Sequence, residues 1–277
     1  MSLVYDLHSH STASDGVLTP SQVVLRAVEN KVDVLALTDH DTISGLAEAK
    51  AQADLLGIKF INGVEISTNW ESRSIHIVGL NFNERDPRII TLLASQAEKR
   101  RQRAVQIGEK LAKNGIINAF AETQKLANGE VTRVHYARYL IQIGKVANEK
   151  QAFKKYLSQG KSAYVKTQWI DIPTAIEAIH LSGGVAVLAH PLRYNLSAKW
   201  IKKLMLDFKQ WGGDGVEVAG CGQTKDQRQS LANWANEYQL RASAGSDFHF
   251  PCGWIELGKS LYLPENSIPI WECWKTS

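Results

Sequence analysis

The sequence predicts an α/β fold, a parallel sheet or (β/α) barrel interrupted by a helical insertion, on three observations. Short apolar, β-branched runs alternate with amphipathic helical patterns from the start to about residue 82. A helix-after-helix stretch then runs from about Asn83 to Lys166. After it the alternation resumes and continues towards the end. Strand–helix–strand order of this kind requires crossovers between parallel strands.

Residues 1–82 and 167–277 are therefore expected to form the α/β frame, and 83–166 a basic helical insertion that acts as a substrate lid. In the first part, Val4–Leu7, Val32–Thr38, Ile58–Ile66 and Ile75–Leu80 read as buried strands. Thr19, Pro20 and Gln22 supply an N-cap, a first-turn proline and a capping-box partner for a helix whose apolar face includes Val24, Ala27 and Val28. In the insertion, Ala104, Ile107 and Leu111 share one helical face, and Val134, Ala137 and Ile141 share another. Asn148 and Gln151 cap a further helix carrying Phe153, Tyr156 and Leu157. Beyond the insertion, Ile172, Ala175, Ile176 and Ile179 mark a helix closed by Gly183–Gly184. Val185–Ala189, Gly215–Ala219 and Leu240–Gly245 are strands, separated by helices around Trp200–Phe208 and Leu231–Tyr238. That makes seven strand candidates, and the Trp- and Leu-rich tail after Trp254 should pack on the barrel.

Composition narrows the class. The hydrophobic fraction of 44% and charged fraction of 22% suit a globular domain. No apolar run has the length of a membrane span, and the start lacks the pattern of a signal peptide. Three cysteines without a CxxC pair argue against a disulfide framework or thiolate zinc site, so a cytoplasmic location is expected. Net charge is +4, but residues 85–166 hold 17 Lys+Arg against 6 Asp+Glu. The insertion is thus suited to anions, while the frame has carboxylates available for cations.

Six of the eight histidines lie in or just beyond predicted strands. His8 and His10, two apart in extended chain, point to one side. Asp39, His40 and Asp41 follow the second strand, Glu65 ends the third, and His76 lies in the fourth. His190 follows Val185–Ala189, and Asp247 with His249 follows the last strand. Barrel active sites sit at the C-terminal ends of strands, so these groups are expected to converge. Burying so many ionisable groups together is costly without cations. Mixed His and carboxylate ligation favours Mn²⁺, Fe²⁺ or Zn²⁺, and several such ions suit phosphate-ester hydrolysis. His180, on a helix, is assigned to structure.

The motifs HxH at His8–His10, TDHD at Thr38–Asp41, Glu65, His76, AHP at Ala189–Pro191 and SDFH at Ser246–His249 resemble the polymerase-and-histidinol-phosphatase (PHP) family. The resemblance implies a distorted (β/α)7 barrel with a three-metal site. By that likeness His8, His10, Glu65 and Asp247 bind one ion, Glu65 bridges to a second held by His76 and His190, and Asp15, His40 and His249 hold a third. Manganese is the expected metal, and a metal-bridging hydroxide the expected nucleophile. Segments such as Lys99–Arg103, Thr132–Arg138, Phe153–Val165 and Gly245–Gly258 look like the nucleoside 3′,5′-bisphosphate phosphatase and 5′-3′ exoribonuclease branch. Leu192 departs from that branch, where a smaller residue such as Gly is expected.

Arg100, Arg101, Arg103, His135, Arg138 and Arg193 are the candidate substrate-binding residues, because guanidinium groups hold phosphate bidentately. The expected substrate is a nucleotide or short 5′-phosphorylated oligonucleotide, with no membrane role and no obligate protein partner evident. Two alternatives stay open: a phosphatase for a small metabolite such as histidinol phosphate, and a non-catalytic nucleic-acid-binding module using the basic segment.

Overall fold

The computed structural model describes residues 3–274. Strand β1 (Tyr5–Asp6) leads to helix α1 (Pro20–Glu29), strand β2 (Val34–Leu37), helix α2 (Leu46–Leu56) and the long strand β3 (Lys59–Trp70). Strand β4 (Arg73–Leu80) follows, then helices α3 (Pro87–Lys113), α4 (Ala119–Gln124), α5 (Arg133–Gln142) and α6 (Glu149–Ala152). The chain returns through β5 (Ile170–Asp171), α7 (Ile172–Leu181), β6 (Val185–Leu188), α8 (Ala198–Gln210), β7 (Gly215–Ala219), α9 (Lys225–Glu237) and β8 (Arg241–Ala244). The capping box read at Thr19 is present in full, and Val23, Val24 and Ala27 are the buried face of α1.

The strands pair in the order β1-β2-β3-β4-β6-β7-β8, with the short β5 beside β3. Leu7 N donates to Ala244 O, Asp247 N to His8 O and His10 N to Phe248 O, so the chain beyond β8 joins the chain beyond β1 and the barrel is nearly closed. All seven expected strands are present, and β5, only two residues long, is an eighth. One expectation needs correcting: β4 is antiparallel to both β3 and β6. Only Glu71 and Ser72 separate β3 from β4, and a connection that short permits a hairpin but no crossover.

The principal core fills the space between the sheet and helices α1, α2, α7, α8 and α9. A separate apolar cluster, from Ala104 to Val165, holds α3–α6 together. Helix α3 serves both: Ile89, Leu92 and Leu93 pack in the barrel core, and Ala104, Ile107 and Leu111 in the second cluster. The tail packs as expected, with Trp271 stacked on Tyr5 at 3.9 Å, although Trp254 is 73% exposed. In α8, Ile201, Leu204 and Phe208 are buried, while Trp200 lies at the surface edge-on to Trp70.

Candidate metal centre

The strand ends bring His8, His10, Asp15, His40, Glu65, His76, His190, Asp247 and His249 into one cluster. His76 joins although it lies near the start of its strand. Because β4 runs antiparallel, its first half sits at the same rim as the later part of β3, and His76 pairs with Ser67. Local backbone supports the rest. Gly16 follows Asp15 so closely against His10 O that a Cβ there would lie 2.5 Å from it. Gly245 lets β8 approach the His8 side chain, where a Cβ would lie 2.3 Å from that of His8. His190 and Asp247 adopt left-handed backbone (φ 27° and 54°), a strained choice that recurs at functional sites.

Glu65 is the hub. Its Oε1 lies 2.8 Å from His76 Nδ1 and 2.9 Å from His190 Nε2. Its Oε2 lies 2.8 Å from His40 Nδ1, 3.3 Å from His10 Nε2 and 3.4 Å from His8 Nε2. Asp247 Oδ1 is 3.4 Å from His8 Nε2 and 3.2 Å from His10 Nε2. Asp15 Oδ1 is 3.3 Å from His249 Nε2 and 3.8 Å from His40 Nε2. Three groups offer donor atoms all within 4.8 Å of one another: His10, Asp15, His40 and His249; His8, His10 and Glu65; and His40, Glu65 and His76.

These residues fit divalent cations. His8 Nε2 faces His10 Nε2 at 3.1 Å, where two ring nitrogens cannot both donate. His10 Nδ1 and His190 Nδ1 are buried without a hydrogen-bond partner, and Asp15 Oδ1, His40 Nδ1 and Glu65 Oε2 meet their close neighbours at angles that make no hydrogen bond. Burial acts to raise the pKa values of Glu65, Asp15 and Asp247, but the surrounding imidazoles outweigh it and hold all three well below the usual carboxylate range. Burial likewise lowers His10, yet the Asp247 and Glu65 carboxylates push it up to about 10. At His40 burial prevails and the pKa falls to about 4. Carboxylates whose ionised form is favoured, crowded by imidazoles several of whose nitrogens lack a partner, are the donor set of a metal site for borderline divalent ions.

Glu217, which sequence reasoning missed, supports the cluster from behind. Its Oε1 lies 2.5 Å from His8 Nδ1 and its Oε2 accepts from His190 N at 2.7 Å. A carboxylate behind a ligating imidazole fixes ring orientation and tautomer. Its signal was present in the apolar run Gly215–Ala219, where a lone buried Glu needs a partner.

The predicted substrate-binding residues divide. Arg103 lines a cavity of about 330 Å³ that opens on Asp15, His40, His76 and His249, and its buried Nε has no partner. Burial, then Arg133 and Arg100, pull the Arg103 pKa well down, the signature of crowded cations lacking an anion. Arg133, also half-buried and lowered by burial, lines the same cavity with Tyr164, Lys166 and Trp169 and was not singled out from the sequence. Arg193 pairs with Asp247. The other four are engaged by neighbouring residues. Arg100 lines the same cavity, but it is buried and paired with Asp41, 2.6 Å away, and with Ser67 Oγ at 2.9 Å. Arg101 is exposed and paired with Glu98 and Glu130. Arg138 donates to Asp15 O at 2.6 Å, so it braces a predicted ligand's backbone. His135 is buried in a capping box, its Nδ1 accepting from Thr132 N at 3.0 Å, and it does not line the cavity. These roles follow from α-helical geometry that places each side chain on a face spacing alone does not reveal. His180 pairs with Asp214 at 2.7 Å, away from the cluster.

The family model described as PHP domain matches residues 6–171. Over 272 residues the chain is 64% identical to the 5′-3′ exoribonuclease of Haemophilus influenzae, covering 98% of this chain and 99% of that one. It is 42% identical over 269 residues to the 3′,5′-nucleoside bisphosphate phosphatase of Chromobacterium violaceum, covering 96% and 94%. A solved structure of an amidohydrolase from Chromobacterium violaceum, with bound sulfate and no metal, superposes with a TM-score of 0.93 at 41% identity, covering 99% of this chain and 96% of that one.

Proposed function

The chain belongs to the PHP domain family, and on that premise we propose that it hydrolyses the 5′-phosphate of nucleotides such as nucleoside 3′,5′-bisphosphates and trims short 5′-phosphorylated RNA or DNA from the 5′ end. The observation that carries this reading is one juxtaposition. The cavity that opens on the His and carboxylate cluster also exposes the guanidinium groups of Arg103 and Arg133, neither of which pairs with a carboxylate among the described residues. A small metabolite with one phosphate leaves such a pair unused, whereas a bisphosphate or oligonucleotide brings a second anion to it. The relatives named as an exoribonuclease and a bisphosphate phosphatase support the same choice.

In this reading three divalent ions, manganese first among them, are held by His8, His10, Glu65 and Asp247, by Glu65, His76 and His190, and by Asp15, His40 and His249. When bound they activate water and neutralise charge on the phosphoryl oxygens. The chain's own residues do the rest. Glu65 holds five imidazoles in one arrangement, Glu217 orients His8, and Arg103 and Arg133 fix the second phosphate so that the scissile one meets the cluster in a single pose. Residues 83–166 act as the lid that carries both arginines.

The test is release of phosphate and mononucleotide, with Mn²⁺ and after chelation, from adenosine 3′,5′-bisphosphate, a short 5′-phosphorylated RNA and histidinol phosphate. Metal-dependent turnover of the first two is expected. Turnover of histidinol phosphate alone would retain the metal centre and refute the role of the basic cavity.

A further inference from the structure

The ligand cluster is approached from two sides. The lid cavity is reached past Asp15, His40, His76 and His249. A second cavity, of about 220 Å³, is lined by His190, Asp247 and Glu217 together with Leu192, Arg193, Gln223 and Gln227. No described residue lines both. The second cavity holds one exposed guanidinium, Arg193, and two side-chain amides. Its carboxylates are already engaged, Glu217 with His8 and His190 N, and Asp247 with His8, His10 and Arg193. Behind its wall, buried Arg228 donates Nη2 to Gly220 O at 3.0 Å and leaves Nε and Nη1 without partners, so the Gly220 segment is backed by positive charge. Leu192, the residue that departs from the expected pattern, stands on the rim.

A phosphate monoester brings one organic substituent to the cluster, and the lid cavity with Arg103 and Arg133 accounts for it. A phosphodiester brings two. In its hydrolysis the oxygen of water forms a bond to phosphorus, one ester P–O bond breaks, and the departing ester oxygen takes up a proton as a hydroxyl. The phosphate stays on the other fragment, so both nucleotides must be accommodated until the bond breaks. We propose that the cavity formed by Leu192, Arg193, Gln223 and Gln227 is a second nucleotide subsite, used by phosphodiesters and empty during hydrolysis of bisphosphates. This rests on the nucleotide reading above and adds to it a place for the second half of an oligonucleotide. Arg193, with Nη1 on Asp247, keeps Nε and Nη2 for that nucleotide's phosphate, and the amides of Gln223 and Gln227 suit sugar or base edges.

The experiment compares kcat/KM for a 5′-phosphorylated dinucleotide with kcat/KM for adenosine 3′,5′-bisphosphate, in the wild-type protein and two variants. Gln223→Glu keeps the acceptor for Gly220 N, now 2.8 Å away, while placing negative charge in the cavity. Leu192→Trp narrows it. The dinucleotide-to-bisphosphate ratio should fall about tenfold or more in each, because like charge or lost volume acts on one substrate only. If Leu192→Trp does not fold, Gln223→Glu decides alone. A ratio within about twofold of wild type in the folded variants overturns the second subsite and leaves the bisphosphate reading intact. A wild-type protein that hydrolyses the bisphosphate but not the dinucleotide does the same. Turnover of neither substrate by the wild type overturns both.

Discussion

Asp41 and Arg100 form an ion pair, 2.6 Å between Oδ2 and Nη2, that is closed to solvent at both ends. Asp41 is the neighbour of His40 in the loop after β2, and Arg100 lies mid-way along α3, so the pair bolts the helical insertion to the rim of the metal centre. Asp41 also accepts from Ser67 N at 2.7 Å, and the Arg100 guanidinium lies over Trp169 at 5.3 Å. Trp169 in turn carries Arg103, 5.5 Å above its ring.

Breaking that pair should damage stability first. Arg100→Met leaves Asp41 ionised and buried without its partner, at a cost of about 3–5 kcal/mol. The double variant Asp41→Asn with Arg100→Met should lose less than Arg100→Met alone, because no unpaired charge remains. Urea unfolding of the three proteins checks the order, and equal stability of Arg100→Met and wild type would refute the bolt.

Glu65→Gln should be the most damaging ligand change, since five imidazoles converge on that carboxylate. Metal content after exhaustive dialysis should fall along with activity. Retention of the full complement of metal would refute Glu65 as a shared ligand.

Glu217→Gln should leave the fold in place and weaken metal binding by about 10–100-fold, through loss of the charge that orients His8. Competition with a metal-sensitive dye reads the affinity directly. Unaltered affinity would reduce Glu217 to a packing role.

Arg103→Met and Arg133→Met should each raise KM for adenosine 3′,5′-bisphosphate by about tenfold or more, as loss of a charged hydrogen bond predicts. An aryl phosphate, with no second anion, should be affected far less. Equal losses on the two substrates would remove these arginines from recognition.

His135 predicts a pH dependence of stability. Burial pulls its pKa down from 6.5 to about 4, so the folded protein keeps the ring neutral while the unfolded chain protonates at 6.5. The unfolded state then binds more protons, and stability falls as pH drops from about 6.5 towards 4, by up to roughly 3 kcal/mol. His135→Gln should flatten that part of the stability–pH curve. An unchanged slope would show that burial does not depress the His135 pKa in the folded state.

The sequence alone marked out the His and carboxylate residues that the structure gathers into one cluster, and the seven strand segments around them. Buried strands are short β-branched runs, and chemistry at their ends leaves His, Asp and Glu where apolar residues stop, as at Asp39–Asp41 after Val34–Leu37. It also determined that 83–166 is helical and basic. Only the tertiary structure decided which of those basic residues face the cluster. Arg100, Arg101 and Arg103 are near neighbours in one helix, yet the turn of α3 sends the first into an ion pair, the second to solvent and the third into the cavity. The antiparallel turn of β4, the support of His8 by Glu217 and the presence of two cavities around one cluster likewise depend on contacts between residues distant in sequence. Local periodicity reports which residues are buried; it carries no record of which distant partner each one meets.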